Sequence, residues 1–259
     1  SAVSWQGKSG ETARSPGAQP VDGVFKRTYP LPCMVLNRYS RKAATARLAA
    51  LRRQVSVQTF TLGYEDSACR ENRQAAQELA EISNRLSVEI HEAMESGDLL
   101  RKYRVDALPA LVITAKESPE LRVYGVPLGF VLPALLDGLV TLGTVGDPKH
   151  ELLPLASAIV RSVTTPVSIR LDLAVNRREA STAEAAAALW RAVFAIHSLS
   201  DIPHIVPSLR VIEDFPVWAV RAGGHDCPCL LADGSPLVSW PFKDSDILES
   251  LAGYIADSV

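Results

Sequence analysis

Four cysteines are the side chains in this sequence best suited to chemistry: Cys33, Cys69, Cys227 and Cys229. Cys227 and Cys229 are separated only by Pro228, and a disulfide across them would close a very small, strained and easily reduced ring. His225 alternates with both along a predicted strand, so the three side chains also suit a soft metal, with Cys33 as a candidate fourth ligand. The third interpretation, ordinary buried cysteines with no metal, is the one we favour.

Cys69 is the one thiol close to the start of a predicted helix. Asp66 or Ser67 can cap this helix, and an apolar stripe extends it to about Leu86. A thiol there, with Arg70 beside it, could form a mixed disulfide or be oxidised, because a helix N-terminus and a cation both favour the thiolate. The other interpretation is an unreactive cysteine.

The segment from residue 38 to 53 carries six basic side chains and no acid: Arg38, Arg41, Lys42, Arg47, Arg52 and Arg53. Ala44, Leu48 and Leu51 keep helical spacing, so the segment is predicted to be a helix with either a solvated face or a binding face for acidic protein or RNA. The net charge of −2 and pI near 6.2 make nucleic acid the less favoured partner.

The order of predicted elements divides the chain into three parts. Residues 1–37 form a polar tail without periodicity, and residues 38–148 and 149–259 form two α/β units with the same element order. Each unit has a proline at the entrance to its central hairpin, Pro109 or Pro228, and we predict a cis peptide bond before both. In the second unit, Ser181 and Glu184 are spaced as a capping box.

Residues 46–255 resemble the tandem thioredoxin-fold module of archaeal protein disulfide oxidoreductases and of the N-terminal domain of the alkyl hydroperoxide reductase flavoprotein subunit. The matching motifs, in chain order, are Glu65-Asp66-Ser67-Ala68, the segment from Tyr103-Arg104-Val105 to Pro109, Tyr124-Gly125-Val126-Pro127-Leu128-Gly129, Pro228 and the Asp233-Gly234 hairpin. The resemblance implies two tandem thioredoxin-like folds, with Pro109 and Pro228 as their cis-prolines.

The resemblance also implies dithiol chemistry by a Cys-x-x-Cys motif at the start of each unit's first helix, and neither unit has that motif. In the first unit Cys69 is followed three residues later by Asn72, and in the second the matching stretch, 176–181, contains no cysteine. Disulfide exchange by this mechanism needs both sulfurs.

We therefore expect a redox-inactive scaffold or accessory subunit that binds protein partners in a larger assembly. The alternative is a thiol-disulfide oxidoreductase or peroxiredoxin-linked protein that uses Cys69 or the pair Cys227 and Cys229. No dinucleotide-binding or phosphate-binding loop occurs, so no cofactor is expected. The sparse cysteines predict a cytoplasmic location, and no apolar run reaches the roughly 18 residues of a membrane span.

Overall fold

The computed structural model describes residues 34–63, 66–144, 150–163, 166–200, 203–222 and 227–258. Most of the predicted tail, together with Cys33 and His225, lies outside these ranges. Within them the helices are α1 Arg38–Leu48, α2 Ser67–Ile82, α3 Gly97–Lys102, α4 Val131–Gly143, α5 Leu153–Ser162, α6 Ser181–His197, α7 Pro216–Arg221 and α8 Asp244–Ser258. The strands are β1 Val55–Thr61, β2 Leu86–Glu92, β3 Ala110–Ala115, β4 Leu121–Tyr124, β5 Ser168–Val175, β6 His204–Val211, β7 Cys229–Ala232 and β8 Ser235–Ser239.

The described strands form one mixed sheet in the order β2-β1-β3-β4-β6-β5-β7-β8. In the first half, β1 is parallel to β2 and antiparallel to β3, and β5 has the same relation to β6 and β7 in the second half. The halves join where β4 and β6 run parallel, with Arg122 opposite Ser208 and Tyr124 opposite Arg210. The centre of the sheet is therefore formed by both halves.

One face of the sheet carries the main hydrophobic core. Alternate strand residues point to opposite faces, and Leu111 and Ile113 of β3 pack into this core together with Leu135 and Leu139 of α4. The helix α6 packs against α4, where the buried Trp190 donates its indole N–H to the carbonyl of Ala134 at 3.0 Å. This continuous core spans both halves of the sheet.

Among the described residues, two short helices, α3 and α7, pack on the opposite face. Under α3, Phe60, Ala110, Val112 and Tyr124 form a small cluster, and near the end of α7 a second cluster contains Ala174, Ala222, Cys229 and Leu231. Between these clusters the face is polar, because Arg122, Ser208, Arg210 and Asp172 occupy positions that would otherwise be apolar in central strands.

The structure corrects two local predictions. The helix α2 ends at Ile82, and Leu86 instead begins β2, where it packs into the core. Ser181 does not cap α6: the capping residue is Ala180, which offers no side-chain acceptor, and the Thr182 hydroxyl donates to the Asn176 carbonyl at 2.7 Å. None of the helices in the described ranges combines the length and apolar character needed to span a lipid bilayer.

Candidate functional site

The start of α2 is the first place where a reactive thiol is expected. The structure resolves the choice of capping residue: Asp66 is the N-cap, and its carboxylate accepts the Cys69 N–H at 2.6 Å. This hydrogen bond is the main cause that lowers the pKa of Asp66. The position at which an exposed thiolate would receive the free N–H groups of the helix is therefore occupied by a carboxylate.

Cys69 lies in the first turn of the helix, three residues after the cap, and is fully buried. Its sulfur faces the end of β1, where the Leu62 N–H donates to Sγ at 3.3 Å. Burial raises the pKa of the Cys69 thiol to about 11, and the carboxylate of Asp66 acts in the same direction. At pH 7 a pKa of about 11 leaves roughly one molecule in ten thousand as thiolate.

Asn72, which the sequence places where a resolving cysteine would follow Cys69, has a structural contact. It is fully buried, and its Nδ2 donates to the carbonyl of Gly125 at 2.7 Å. Gly125 follows β4, and its own N–H donates to the carbonyl of Pro109. The amide of Asn72 thus ties α2 to the loop beside Pro109.

The start of α6 is the corresponding place in the second half. Its polar groups are engaged in backbone contacts: Asn176 Oδ1 accepts the Arg178 N–H at 2.8 Å, and Glu213 accepts the Arg177 N–H at 3.0 Å. The Arg177 guanidinium also pairs with Asp214 at 2.5 Å. These contacts hold the turn against the end of β6, and no sulfur is present in it.

The pair Cys227 and Cys229 flanks Pro228 as the sequence requires, and no disulfide joins them. Cys229 is buried and Cys227 half-buried, and both pack in the small cluster near α7. The peptide bonds before Pro109 and Pro228 are both cis, as is the bond before Pro241. Among the described residues no three His, Cys, Asp or Glu side chains converge as metal ligands.

The basic segment forms α1 and the turn after it, and three of its six cations are used inside the protein. Arg41 pairs with Glu78 at 3.2 Å, and Arg47 with Asp137. Arg53 donates to two backbone carbonyls. Arg38, Lys42 and Arg52 are exposed and form no ion pair with a described residue.

A buried ionic cluster that the sequence patterns did not predict lies at the junction of β4 and β6. Arg210 has a fully buried side chain, whose Nε donates to Asp172 at 2.8 Å. Its two terminal nitrogens donate to both carboxylate oxygens of Asp106, each at 3.0 Å. The guanidinium carbon lies 3.9 Å from the ring centre of Tyr124 and 4.1 Å from that of Trp218.

The cluster is balanced in charge by Arg170, whose Nε lies 2.7 Å from Asp172. Burial acts to raise the pKa of Asp106, but the hydrogen bonds from Arg210 and the charges of Arg210 and Arg170 outweigh it, so the pKa of Asp106 lies below its ordinary value. Because Asp106 lies three residues before Pro109, the cluster fixes the Pro109 loop of one half onto β5 and β6 of the other. The sequence feature that could have revealed this cluster is the pair Asp172 and Arg210, two charged residues inside largely apolar strands.

Comparison with known proteins reveals the same architecture in solved structures. The N-terminal domain of the alkylhydroperoxide reductase AhpF from Enterococcus faecalis superposes with a TM-score of 0.69 at 18% identity, over 83% of this chain and 99% of that chain. A protein disulfide oxidoreductase from Aeropyrum pernix superposes with a TM-score of 0.70 at 17% identity, over 86% and 94% of the two chains.

A second structure of the Enterococcus faecalis reductase gives a TM-score of 0.67 at 19% identity, over 83% of this chain and 98% of that one. No protein-family model matches the chain, and no curated protein matches it in sequence. The structural likeness confirms that the chain has a mixed α/β thioredoxin-like fold, as the sequence predicted. At 17–19% identity it shows the fold alone, so any activity has to be argued from this chain's own residues.

Proposed function

We propose that this protein is a redox-inactive thioredoxin-like scaffold, built from two tandem units, that binds protein partners in a larger assembly. The observation that carries the proposal is the environment of Cys69, the one sulfur near either helix start. It is fully buried, its pKa is raised to about 11, and a carboxylate occupies the helix cap. Reactive thiols have the opposite properties, being exposed and of low pKa.

The division into two units, 38–148 and 149–259, rests on the strand order. Each half contributes a parallel strand pair and an antiparallel hairpin beside it, and each places a cis-proline at the entrance to that hairpin. The simplest origin of this arrangement is duplication of one unit whose catalytic sulfurs were later lost. A cytoplasmic location is part of the proposal, and it is supported by the unbridged thiols of Cys69 and Cys229.

The test measures thiol reactivity and disulfide exchange on the native chain. Alkylation of Cys69 at pH 7 should be at least about 300-fold slower than that of a thiol with the ordinary pKa near 8.5, because the thiolate fraction differs by that factor. Mass spectrometry of labelled peptides identifies the cysteine that reacts. The protein should not accelerate the reduction of insulin by dithiothreitol, and an acceleration lost in Cys69→Ser would overturn the proposal.

The alternative function, thiol chemistry by Cys227 and Cys229, is favoured by one observation: Cys227 is half-buried beside a cis-proline. Insulin reduction that survives in Cys69→Ser but is lost in Cys227→Ser would establish this alternative. The scaffold role itself predicts a stoichiometric partner when the protein is isolated gently from its source, with all thiols reduced.

A further inference from the structure

A groove of about 450 Å³ crosses the polar face of the sheet beside α3. We call it the basic groove, defined by Lys102, Arg104, Arg122, Arg170 and His204. Its volume lies within the range of about 300–1,000 Å³ that is usual for ligand sites. None of its described lining residues is a cysteine.

The two acids among the groove's described lining residues, Glu120 and Asp233, both accept hydrogen bonds within the protein. Glu120 accepts from Arg122 Nε at 2.6 Å. Asp233 accepts the backbone N–H of Arg170 at 3.0 Å and the Tyr254 hydroxyl at 3.0 Å. Glu120 is therefore paired with a cation, whereas Asp233 is held by neutral donors and keeps its charge.

Two cations of the basic groove are not paired with a described carboxylate. Lys102 and Arg104 are exposed, and neither forms an ion pair with a described residue. His204, at the other side of the groove, is also exposed. With four Lys and Arg side chains against two carboxylates, the described lining of the groove has a net positive charge, which an anionic ligand would neutralise.

The backbone conformation of Arg104 also indicates a ligand site. Arg104 follows the end of α3 with a φ of 47°, the left-handed conformation in which glycine is the preferred residue. Its carbonyl accepts from Arg122 Nη1 at 3.2 Å, which fixes this turn at the wall of the groove. Arg104 therefore occupies a position whose backbone conformation favours glycine. Strained positions of this kind are concentrated at ligand sites.

We propose that the basic groove binds an extended acidic peptide segment of a protein partner. This inference rests on the proposed scaffold function and specifies its surface. The cations lie on α3, its C-terminal turn and three adjacent strands, β4, β5 and β6, so an elongated ligand contacts more of them than a single small anion does. Carboxylates bind guanidinium groups by charge-assisted hydrogen bonds.

Two other occupants fit less well. The protein's own residues 1–33 contain four basic side chains and two acidic ones, so their charge does not complement the groove. Single-stranded RNA is usually held by stacking on aromatic rings, and none of the groove's described lining residues is Phe, Tyr or Trp.

The experiment measures the fluorescence anisotropy of labelled hexaglutamate titrated with the full chain. We expect Lys102→Glu/Arg104→Glu to raise the Kd at least about tenfold, since even one lost charge-assisted hydrogen bond is worth about that factor. The matched control, Arg38→Glu/Lys42→Glu on α1, changes the net charge equally at a distant basic surface and should leave the Kd unchanged. The groove variant should also reduce the salt dependence of binding.

Arg104→Gly separates binding from folding. It removes the guanidinium but suits the left-handed backbone, so it should weaken hexaglutamate binding without lowering the midpoint of urea unfolding. Equal weakening in the groove and control variants, or no binding below about 1 mM peptide, would overturn the inference. Tighter binding of oligouridine than of hexaglutamate, lost in the groove variant, would overturn it in favour of RNA. The redox assays are independent, so the scaffold proposal survives a failure here.

Discussion

Replacing Arg210 by methionine tests whether the ionic cluster at the β4–β6 junction stabilises the sheet. Methionine keeps most of the aliphatic length of arginine but removes the charge. In Arg210→Met, Asp106 loses both of its hydrogen bonds from Arg210, and Asp172 loses the donor at 2.8 Å. The aromatic rings of Tyr124 and Trp218 lose the cation between them.

The expected loss in free energy of unfolding is about 3 kcal/mol. Removing one partner of a buried ion pair typically costs about 3–5 kcal/mol, because the remaining charge stays buried. Asp172 keeps the Arg170 Nε at 2.7 Å and the Ser208 hydroxyl at 2.5 Å, so its charge stays partly compensated, and Asp106 is partly exposed, so its charge stays partly solvated. For these two reasons we expect a loss in free energy of unfolding at the lower end of the range of about 3–5 kcal/mol.

The assay is urea unfolding followed by tryptophan fluorescence and by circular dichroism, because Trp218 stacks directly on Arg210. Arg101→Met is the matched control: it breaks the exposed pair with Asp98 and should cost less than about 0.5 kcal/mol. A loss below about 1 kcal/mol for Arg210→Met would refute the reasoning, since the cluster would then contribute no more to the free energy of unfolding than a surface ion pair does.

The double variant Arg210→Met/Asp172→Leu distinguishes two energies. One is the interaction energy of Arg210 with Asp172, and the other is the cost of leaving the Asp172 carboxylate buried without Arg210. The stability of the double variant should exceed that of Arg210→Met alone, because no uncompensated carboxylate remains at Asp172. Strictly additive losses from the two single substitutions would show that Arg210 and Asp172 are not coupled, in conflict with their 2.8 Å contact.

Three further predictions concern other residues. Asp66→Cys, three residues before Cys69, restores the Cys-x-x-Cys spacing with a thiol at the helix cap; we expect an alkylation rate at residue 66 far above that of Cys69, and equal rates would show that the cap does not activate a thiol. Gly125→Ala should lower the free energy of unfolding by about 2–4 kcal/mol, because the glycine φ is 101° and a Cβ would lie 2.6 Å from Asp214 Oδ2; a loss below 1 kcal/mol would contradict this. The pKa of Asp106 is lower in the folded protein, so its contribution to stability is present above its ordinary pKa and is lost as pH falls through the folded value. Asp106→Asn should flatten this acid limb of the stability curve, and an unchanged limb would exclude Asp106 as its source.

Much of the fold could be predicted from the sequence because local patterns carry it. The β-branched run from Val55, the alanine-rich helix from Ser181 and the Asp233-Gly234 turn specify elements through periodicity and turn chemistry alone. The thioredoxin-like fold followed from the order of these elements. The prediction that Ser181 caps α6 was wrong, because a Ser-x-x-Glu spacing does not determine which residue is the last one before the helix.

The candidate site was predicted only in part, and the reason differs from one residue to the next. Cys69 was correctly placed in α2, but its burial and its raised pKa depend on contacts with β1 that the local sequence does not encode. The charges of Arg41 and Arg47 were visible, but not their pairing with Glu78 and Asp137, which are distant in sequence.

The sequence by itself determined which chemistry is missing: without a second sulfur near Cys69 and without any at 176–181, dithiol exchange at the helix starts is excluded whatever the fold. Only the tertiary structure decided that Arg210 meets Asp106, 104 residues away. Only the tertiary structure brought Lys102, Arg104 and His204 to one groove. The physical reason is that local sequence sets secondary structure, whereas the pairing of β4 with β6 joins the halves and decides which charges become neighbours.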